Sequence, residues 1–263
     1  MTEHGGEVVG FATWFPVHET LAEVGGNAVD PEFHGHGIGS AQMQWVIDMF
    51  REKRYKCARV FTGMDPAHGS ARSEYRHVGL RRGVTISTYL NYLDEVARIP
   101  VRNALNFRWA ERDDVALVRQ LARMAWVSVY EGVRRAVGDE IFGIAFTKAV
   151  EGKAEEFAQV AADTPEQVRI VVEDGRPAGF AVLHEDAPKK LGELKTVAVA
   201  PEFRGRGVGC GLCMDAFGIF RERGLQYARL TAGQGEVNER TRQMCWSVGL
   251  YRELPTIYYY MLL

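Results

Sequence analysis

Residues 197–210 read Val197-Ala198-Val199-Ala200-Pro201-Glu202-Phe203-Arg204-Gly205-Arg206-Gly207-Val208-Gly209-Cys210. An apolar, β-branched run ends at a proline, a glycine-rich turn follows, and a long helical pattern opens directly after the turn. A strand, a glycine loop and a helix N-terminus together form a cradle for a phosphate group, because free loop amides and the helix dipole attract an anion. The glycines predict close approach of the backbone, and two arginines add positive charge.

The spacing of the glycines excludes two common phosphate-binding motifs. A dinucleotide fingerprint has the order G-x-G-x-x-G near the start of its βαβ unit, whereas here the order is Arg204-x-x-Gly207-x-Gly209. A P-loop needs a lysine and a serine or threonine after its glycines, and Gly209 is followed by Cys210. The remaining alternative to a ligand site is a tight strand-to-helix turn that binds nothing.

The stretch resembles motif A of the GNAT family of acyl-CoA N-acyltransferases, R/Q-x-x-G-x-G/A. In that family the loop binds the pyrophosphate of coenzyme A, and the strand before it pairs with the pantetheine arm and holds the thioester oxygen. The resemblance therefore implies acetyl-CoA as cosubstrate. The residues that it implies for binding are Val197, Ala198, Val199, Arg204, Gly205, Arg206, Gly207, Val208, Gly209, Cys210 and Asn238.

The chain repeats this stretch near its N-terminus. Residues 23–39 end in Pro31-Glu32-Phe33-His34-Gly35-His36-Gly37-Ile38-Gly39, and the same pattern recurs in residues 193–209 at an offset of 193 − 23 = 170. The pairs Ala58-Arg59 and Ala228-Arg229 keep this offset, as do Gly79-Leu80 and Gly249-Leu250. Internal self-similarity of this kind indicates two copies of one structural unit.

We therefore predict an α/β protein with two GNAT-like domains in tandem, each with a mixed central sheet flanked by helices. The predicted boundaries are an incomplete N-terminal domain at 1–97, a linker at 98–106 and a complete C-terminal domain at 107–263. Nothing before Val8 could supply the first strand and first two helices of the family, so we expect either a degenerate first copy or a start downstream of the natural one. In the second copy, Val115 to Val129 and Thr147 to Ala162 have the apolar spacing of two helices.

Acyl transfer needs a base, because an alkyl ammonium has a pKa of about 10 and cannot attack a thioester while protonated. Glu193 is the candidate, since several GNAT members carry a general-base glutamate on this strand. A side-chain period of two places Glu193, Lys195, Val197 and Val199 on one face. The alternative is a solvated or salt-bridged strand-end carboxylate, with Lys195 as the candidate partner.

The acid is less clear from the sequence. The family pattern N-x-x-A-x-x-x-Y-x-x-x-G-F corresponds to Asn238 through Leu250, and Cys245 stands where tyrosine is expected. Cys245 is either a weak acid or a small core residue, and the core is favoured. Tyr251, or one of Tyr258, Tyr259 and Tyr260, is a candidate substitute, although each is also compatible with ordinary aromatic packing.

The first copy has the opposite pattern. It keeps Glu23 and a tyrosine, Tyr75, but His34 replaces the motif arginine and His68 stands where asparagine is expected. Histidine is mostly neutral at pH 7, so the first cradle is electrostatically weaker. We expect this copy to be structural, with at most weak residual coenzyme A binding.

Composition narrows the class of protein. A net charge of −2 argues against nucleic-acid binding, and no apolar run approaches the length of a membrane span. The first residues show no signal peptide, and four cysteines in so long a chain favour free thiols in a reducing, cytoplasmic compartment. Cys210-x-x-Cys213 and His34-Gly35-His36 lack the further ligands that a metal site needs, so no metal is expected.

The sequence thus favours an N-acetyltransferase that transfers acetyl from acetyl-CoA to a primary amine, of a small molecule, by direct attack. The expected site residues for catalysis are Glu193, Cys245 and Tyr251. The alternatives are a non-catalytic acyl-CoA sensor and a tandem-domain scaffold. We expect a monomer or homodimer that engages neither nucleic acid nor membrane.

Overall fold

The sequence repeat builds two α/β units in the computed structural model, which describes residues 1–102 and 104–263. Unit 1 comprises Met1–Thr85, Val133–Thr147 and Pro255–Leu263, and unit 2 comprises Ile86–Gly132 and Lys148–Leu254. Each unit is therefore discontinuous in sequence. The predicted linker, 98–106, contains residue 103, which lies outside the described residues.

The described residues form strands and α-helices in this order: β1 Thr2–His4, β2 Glu7–His18, β3 Leu21–Val29, α1 Ile38–Glu52, β4 Cys57–Gly63, α2 Gly69–His77, β5 Arg82–Tyr92, β6 Leu105–Trp109, α3 Val115–Val137, α4 Asp139–Ala145, α5 Ala149–Asp163, β7 Val168–Glu173, β8 Arg176–Asp186, β9 Leu191–Val199, α6 Val208–Glu222, β10 Tyr227–Gly233, α7 Glu239–Ser247 and β11 Arg252–Leu262. The predicted helices 115–129 and 147–162 correspond to α3 and α5, and α4 was not predicted from the sequence.

Both units contain a mixed sheet. In unit 1 the strand order is β1-β2-β3-β4-β11, and in unit 2 it is β5-β10-β9-β8-β7-β6. Within each sheet one pair of strands is parallel, β3 with β4 and β9 with β10, and the other described pairs are antiparallel. The fold class predicted from the sequence, α/β with mixed sheets flanked by helices, is confirmed.

The last strand of each sequence repeat pairs with strands of the other repeat. Strand β5, from the first repeat, lies in unit 2 from Ile86 onward, and β11, from the second repeat, lies in unit 1 from Pro255 onward. Residues 86–92 of β5 are antiparallel to β10, with Tyr89 opposite Leu230. Residues 256–262 of β11 are antiparallel to β4, with Tyr259 opposite Val60. The boundaries 1–97 and 107–263 thus describe the repeats in the sequence, whereas the compact units draw on both repeats. Strand propensity predicts that a segment is extended but does not name its partner.

Helix α6 lies against β9 and supports the cradle in unit 2. Its buried side chains include Leu212, Ala216, Phe217 and Phe220, which recur at helical spacing along one face. Gly192 in β9 is required by this packing, because a Cβ there would lie 2.3 Å from the ring of Phe220. The close helix–strand contact holds the start of α6 in place at the end of β9.

Candidate functional site

The cradle of unit 2 lies between the end of β9 and the start of α6. A one-turn 3₁₀ helix, Pro201–Phe203, leads into the glycine turn, and Gly207 is the N-cap of α6. Gly205 and Gly207 have φ angles of +77° and +81°, in the left-handed region that glycine tolerates best. No side chain caps the helix at Gly207, so its first backbone N–H groups are available to an anion.

The three glycines of the motif have two different roles. A Cβ would have room at Gly205 and Gly207, so these positions need glycine for their positive φ rather than for close approach. Gly209 has no such φ, but a Cβ there would lie 2.8 Å from Sδ of Met244. Toward a bound anion, close approach at all three glycines stays a prediction, since these distances concern contacts within the protein.

Arginines surround the turn and are held by defined contacts. Nε of Arg204 donates to the carbonyl of Val199 at 3.1 Å. Arg102, which the sequence analysis did not predict for the site, donates to the carbonyl of Arg206 at 2.6 Å and pairs with buried Glu173 at 2.9 Å. The guanidinium groups of Arg102 and Arg206 stay about half exposed, so the turn presents positive charge to solvent.

Strands β9 and β10 separate beside the cradle. Their described pairing runs from Leu191 opposite Tyr227 to Leu194 opposite Leu230 and ends there, while both strands continue. Residues 195–199 of β9 therefore have a backbone edge toward β10 that the described ladder does not use. An open edge of this kind accepts an extended ligand as if it were an added strand.

A β-bulge in β9 corrects the predicted side-chain orientation. Opposite β8, the register passes from Thr196 to Leu194 while β8 advances by one residue, so Lys195 is the extra residue. A Cβ on Gly209 would lie 3.7 Å from Val199 and 4.0 Å from Val197, which places these valines toward α6. The bulge shifts the alternation, and Val197 and Val199 do not share a face with Glu193.

Glu193 is a buried carboxylate between two cations. Its Oε2 lies 2.7 Å from Nζ of Lys195 and 2.9 Å from Nη2 of Arg229, directly across on β10. Burial raises the pKa of Glu193, but the hydrogen bonds from Arg229 and Lys195 outweigh it and lower that pKa below its ordinary value. The alternative of a salt bridge with Lys195 is thus present in the structure, and the role of Glu193 as base stays a prediction.

Glu193 has a counterpart in unit 1, where Glu23 and Arg59 form the same pair across β3 and β4. The Glu–Arg pair therefore occurs in both copies, although the charges of their cradles differ. This repetition indicates that the ion pair joins the two parallel strands.

The two other predicted catalytic residues lie in different environments. Cys245 is fully buried in the core of unit 2, and burial raises the pKa of its thiol to about 12. The thiol is therefore a poor proton donor, and its burial agrees with the interpretation of Cys245 as a core residue. Tyr251 is 63% exposed, just before β11. Asn238 precedes α7, and its side-chain amide packs on Gly233 at the end of β10.

A partly buried polar cluster near β10 was missed from the sequence: Ser87 and Tyr89 are buried, and Gln234 and Glu253 are half-buried. We call it the Glu253 cluster: Ser87, Tyr89, Gln234 and Glu253. The Tyr89 hydroxyl donates to Oε1 of Glu253 at 3.0 Å, and Nε2 of Gln234 donates to the same oxygen at 2.5 Å. The sequence held no signal for it, because its members come from β5, the end of β10 and the start of β11 and carry no common spacing.

The cradle of unit 1 has the same backbone conformation as that of unit 2 but different charged side chains. Gly37, the N-cap of α1, has φ +77° and ψ 4°, nearly identical to φ +81° and ψ 4° at Gly207. His34 Nε2 donates to the carbonyl of Val29 at 2.9 Å, in the place of Arg204. A Cβ on Gly39 would lie 2.7 Å from Oε1 of Glu74, so a carboxylate lies against the first turn of α1. Met244 holds this position in unit 2.

Two further searches of the described residues concern metals and membranes. Within 1–102 and 104–263, no three His, Cys, Asp or Glu side chains are grouped so as to hold a metal ion. None of the helices in those ranges combines the length and the apolarity that a membrane span requires.

Comparisons with known proteins agree with this geometry. The profile of the acetyltransferase (GNAT) family matches residues 1–80 and 136–245. The chain is 23% identical over 257 residues to the mycothiol acetyltransferase of Nocardia farcinica (strain IFM 10152), covering 86% of this chain and 70% of the relative.

Solved structures are similar over nearly the whole chain. A GCN5-related N-acetyltransferase from Sphaerobacter thermophilus has a TM-score of 0.67 at 18% identity, covering 98% of this chain and 78% of that one. A tandem GNAT protein from the clavulanic acid biosynthesis pathway has a TM-score of 0.59 at 16% identity, covering 99% and 81%. At these identities the likeness concerns the fold.

Proposed function

Because the chain belongs to the GNAT acetyltransferase family, we propose that unit 2 transfers an acetyl group from acetyl-CoA to a primary amine of a small molecule by direct attack. The observation that carries the proposal is the combination in one unit of an uncapped helix start, flanking arginines and an open β9 edge. The helix start and the arginines match the anionic pyrophosphate of acetyl-CoA. The open β9 edge matches its extended pantetheine arm.

In this proposal the residues of the cradle hold the cosubstrate. The amides of residues 205–210 and the guanidinium groups of Arg204 and Arg206 bind the pyrophosphate. The backbone around Val197 and Val199 pairs with the pantetheine arm, and an N–H at the bulged part of β9 stabilises the developing oxyanion. Glu193 keeps its predicted role as base only if it is released from one of its two cations, since a carboxylate paired with Lys195 and Arg229 has a lowered pKa.

We propose that unit 1 is structural. The carboxylate of Glu74 lies against the first turn of α1, where a second anion would be repelled. Burial raises the pKa of Glu74, although a hydrogen bond with Asn27 opposes the shift. Tyr75 stands at the motif position where unit 2 has Cys245. Its hydroxyl donates to the side chain of Asn27 at 3.0 Å.

A thiol-release assay over a panel of primary amines tests the proposed function. Purified protein, acetyl-CoA and each amine are expected to release coenzyme A thiol in amounts equal to the acetylated amine found by mass spectrometry. Amines related to mycothiol form one arm of the panel because of the name of the Nocardia relative.

A second candidate function is a non-catalytic acyl-CoA sensor, which the burial of Cys245 at the expected acid position favours. Stoichiometric acetyl-CoA binding in a calorimeter, without thiol release from any amine, would replace the enzyme by the sensor. Absence of acetyl-CoA binding would reject both and leave a scaffold.

A further inference from the structure

The hydrogen-bond donors described for the Glu253 carboxylate are neutral side chains, and the positive charge of Arg242 acts on it as well. Tyr89 and Gln234 both donate to Oε1 of Glu253, and Nε2 of Gln234 also contacts the hydroxyls of Ser87 and Tyr89. A carboxylate accepts about four hydrogen bonds, so the group retains capacity for another donor. Glu193 differs in the charge of its hydrogen-bond partners, which are two cations, although hydrogen bonds lower the pKa of both carboxylates.

The two units differ at this place in a way that points to function. At the offset of 170 residues, the positions of Ser87, Tyr89, Gln234 and Glu253 are occupied in unit 1 by Ile257, Tyr259, Met64 and Gly83.

The unit 1 counterpart has no carboxylate, and Gly83, at the position of Glu253, is closely packed, since a Cβ there would lie 2.7 Å from Cδ1 of Ile257. A buried polar network is costly compared with apolar packing of the same site. The chain carries this polar network in unit 2, whose helix start contacts Met244 where the helix start of unit 1 contacts Glu74.

The cluster lies beside the region where the thioester is expected. Gln234 directly follows Gly233, the last residue of β10, and this end of β10 is the part that no longer pairs with β9. Burial raises the pKa of the Cys245 thiol, and the negative charge of Glu253 adds a smaller rise. Cys245 occupies the position at which the family resemblance expects the acid.

We propose that Glu253 is a catalytic residue of unit 2 that receives the ammonium group of the acceptor and takes its proton, with Ser87, Tyr89 and Gln234 as positioning residues. The acceptor class is then a small cationic amine, and the acceptor site is completed by β5, which comes from the first repeat. This inference rests on the proposed acetyl transfer.

The proton balance of the step is complete. The ammonium loses one proton to the Glu253 carboxylate, and the free amine attacks the thioester carbonyl. A carbon–nitrogen bond forms, the carbon–sulfur bond breaks, and the nitrogen loses its second proton as the coenzyme A thiolate becomes a thiol. Glu253 returns its proton to solvent, so the net products are the amide, the thiol and one proton.

Two small nucleophiles separate this role from a structural one. Ethylamine is protonated at neutral pH and needs a base, whereas hydroxylamine is uncharged and does not. We expect Glu253→Gln to lower kcat/KM for ethylamine by about 100-fold, the usual size of a general-base contribution, and to change hydroxylamine acetylation far less. The Kd for acetyl-CoA is expected to stay at the wild-type value.

Glu193→Gln is the matched variant in the same assay. Equal losses with both nucleophiles in Glu253→Gln, or an ethylamine-selective loss in Glu193→Gln instead, would overturn the inference. A wild-type protein that binds acetyl-CoA but acetylates no amine of the panel would overturn the proposed function, whereas ethylamine acetylation that Glu253→Gln leaves unchanged would overturn this inference alone.

A second pair of variants tests the positioning role. Tyr89→Phe removes one of the donors that lower the pKa of Glu253 against its burial, so the acidic limb of kcat/KM for ethylamine is expected to move to higher pH. Arg242 and Cys245 on α7 also face Glu253 and are unchanged. Tyr259→Phe, the equivalent change in unit 1, is expected to leave the limb in place. Equal pH profiles for the two variants would refute the role of Tyr89.

Discussion

Replacing Gly207 by glutamate is expected to abolish coenzyme A binding, while the same replacement at Gly37 is expected to leave it nearly unchanged. The two positions form a matched pair, because both are N-caps with ψ 4° and with φ of +81° and +77°. No atom lies closer than 4.0 Å to a Cβ built at Gly207, and none lies within 4 Å at Gly37. The two variants therefore impose the same backbone strain, roughly 1–2 kcal/mol for an L-residue in this region.

The difference between the variants is electrostatic. The repulsion is estimated for a carboxylate at position 207 taken to be roughly 6 Å from each of two pyrophosphate charges. At an effective dielectric constant of roughly 40, between water and a protein interior, each repulsion costs about 1.4 kcal/mol. The sum of about 3 kcal/mol corresponds to a rise of roughly 100-fold in Kd. Because the turn is exposed, the effect is expected to shrink as the ionic strength increases.

Calorimetric titration with acetyl-CoA measures the effect, and a thermal melt of each variant controls for folding. The expected result is a lost or greatly weakened binding isotherm for Gly207→Glu, a wild-type isotherm for Gly37→Glu, and similar Tm values for the two. Equal losses in both variants would refute the assignment of the site to unit 2. An unchanged Kd in Gly207→Glu would refute the cradle itself.

Three further outcomes are expected. Glu193→Gln should lower the free energy of unfolding at pH 7 by roughly 1–3 kcal/mol in urea melts. Since the folded-state pKa of Glu193 is depressed, that deficit should vanish as pH falls below the ordinary glutamate value of 4.5, and a constant deficit would contradict the ion pair. Iodoacetamide should label half-buried Cys210 before Cys245, whose thiol pKa is about 12, and prompt labelling of Cys245 would contradict its burial. A chain that begins at residue 98 lacks β5, the neighbour of β10 in unit 2, and should lose its cooperative thermal transition. A sharp melt by circular dichroism would contradict the contribution of β5 to unit 2.

Local patterns in the sequence were sufficient for much of the fold. The side chains of Met43, Val46, Ile47 and Phe50, which recur at helical spacing, are all fully buried on α1. The turn at Asp174-Gly175 joins β7 to β8 with positive φ at both residues, as an Asp-Gly hairpin signal predicts. These features depend on residues close together in the chain, so their spacing alone carries the information.

Only part of the candidate site could be predicted from local patterns in the sequence. The glycine turn and its arginines were predicted, whereas the bulge at Lys195 was not, because a bulge depends on the register between two strands. That single extra residue reversed the predicted orientation of Val197 and Val199 relative to Glu193. Arg102 was missed for a similar reason, since its contacts with Glu173 and Arg206 join positions far apart in sequence.

The sequence by itself determined that the chain is a duplicated α/β protein with a glycine turn before a helix in each copy, and that the second turn carries arginines where the first has histidines. Only the tertiary structure decided which strand completes which sheet and which carboxylates are already neutralised. Two repeats offer equivalent strands with equal propensity, so the choice of partner is set by packing over the whole sheet. The Glu253 cluster exists because β5 lies next to β10, and no pattern within either repeat encodes that pairing.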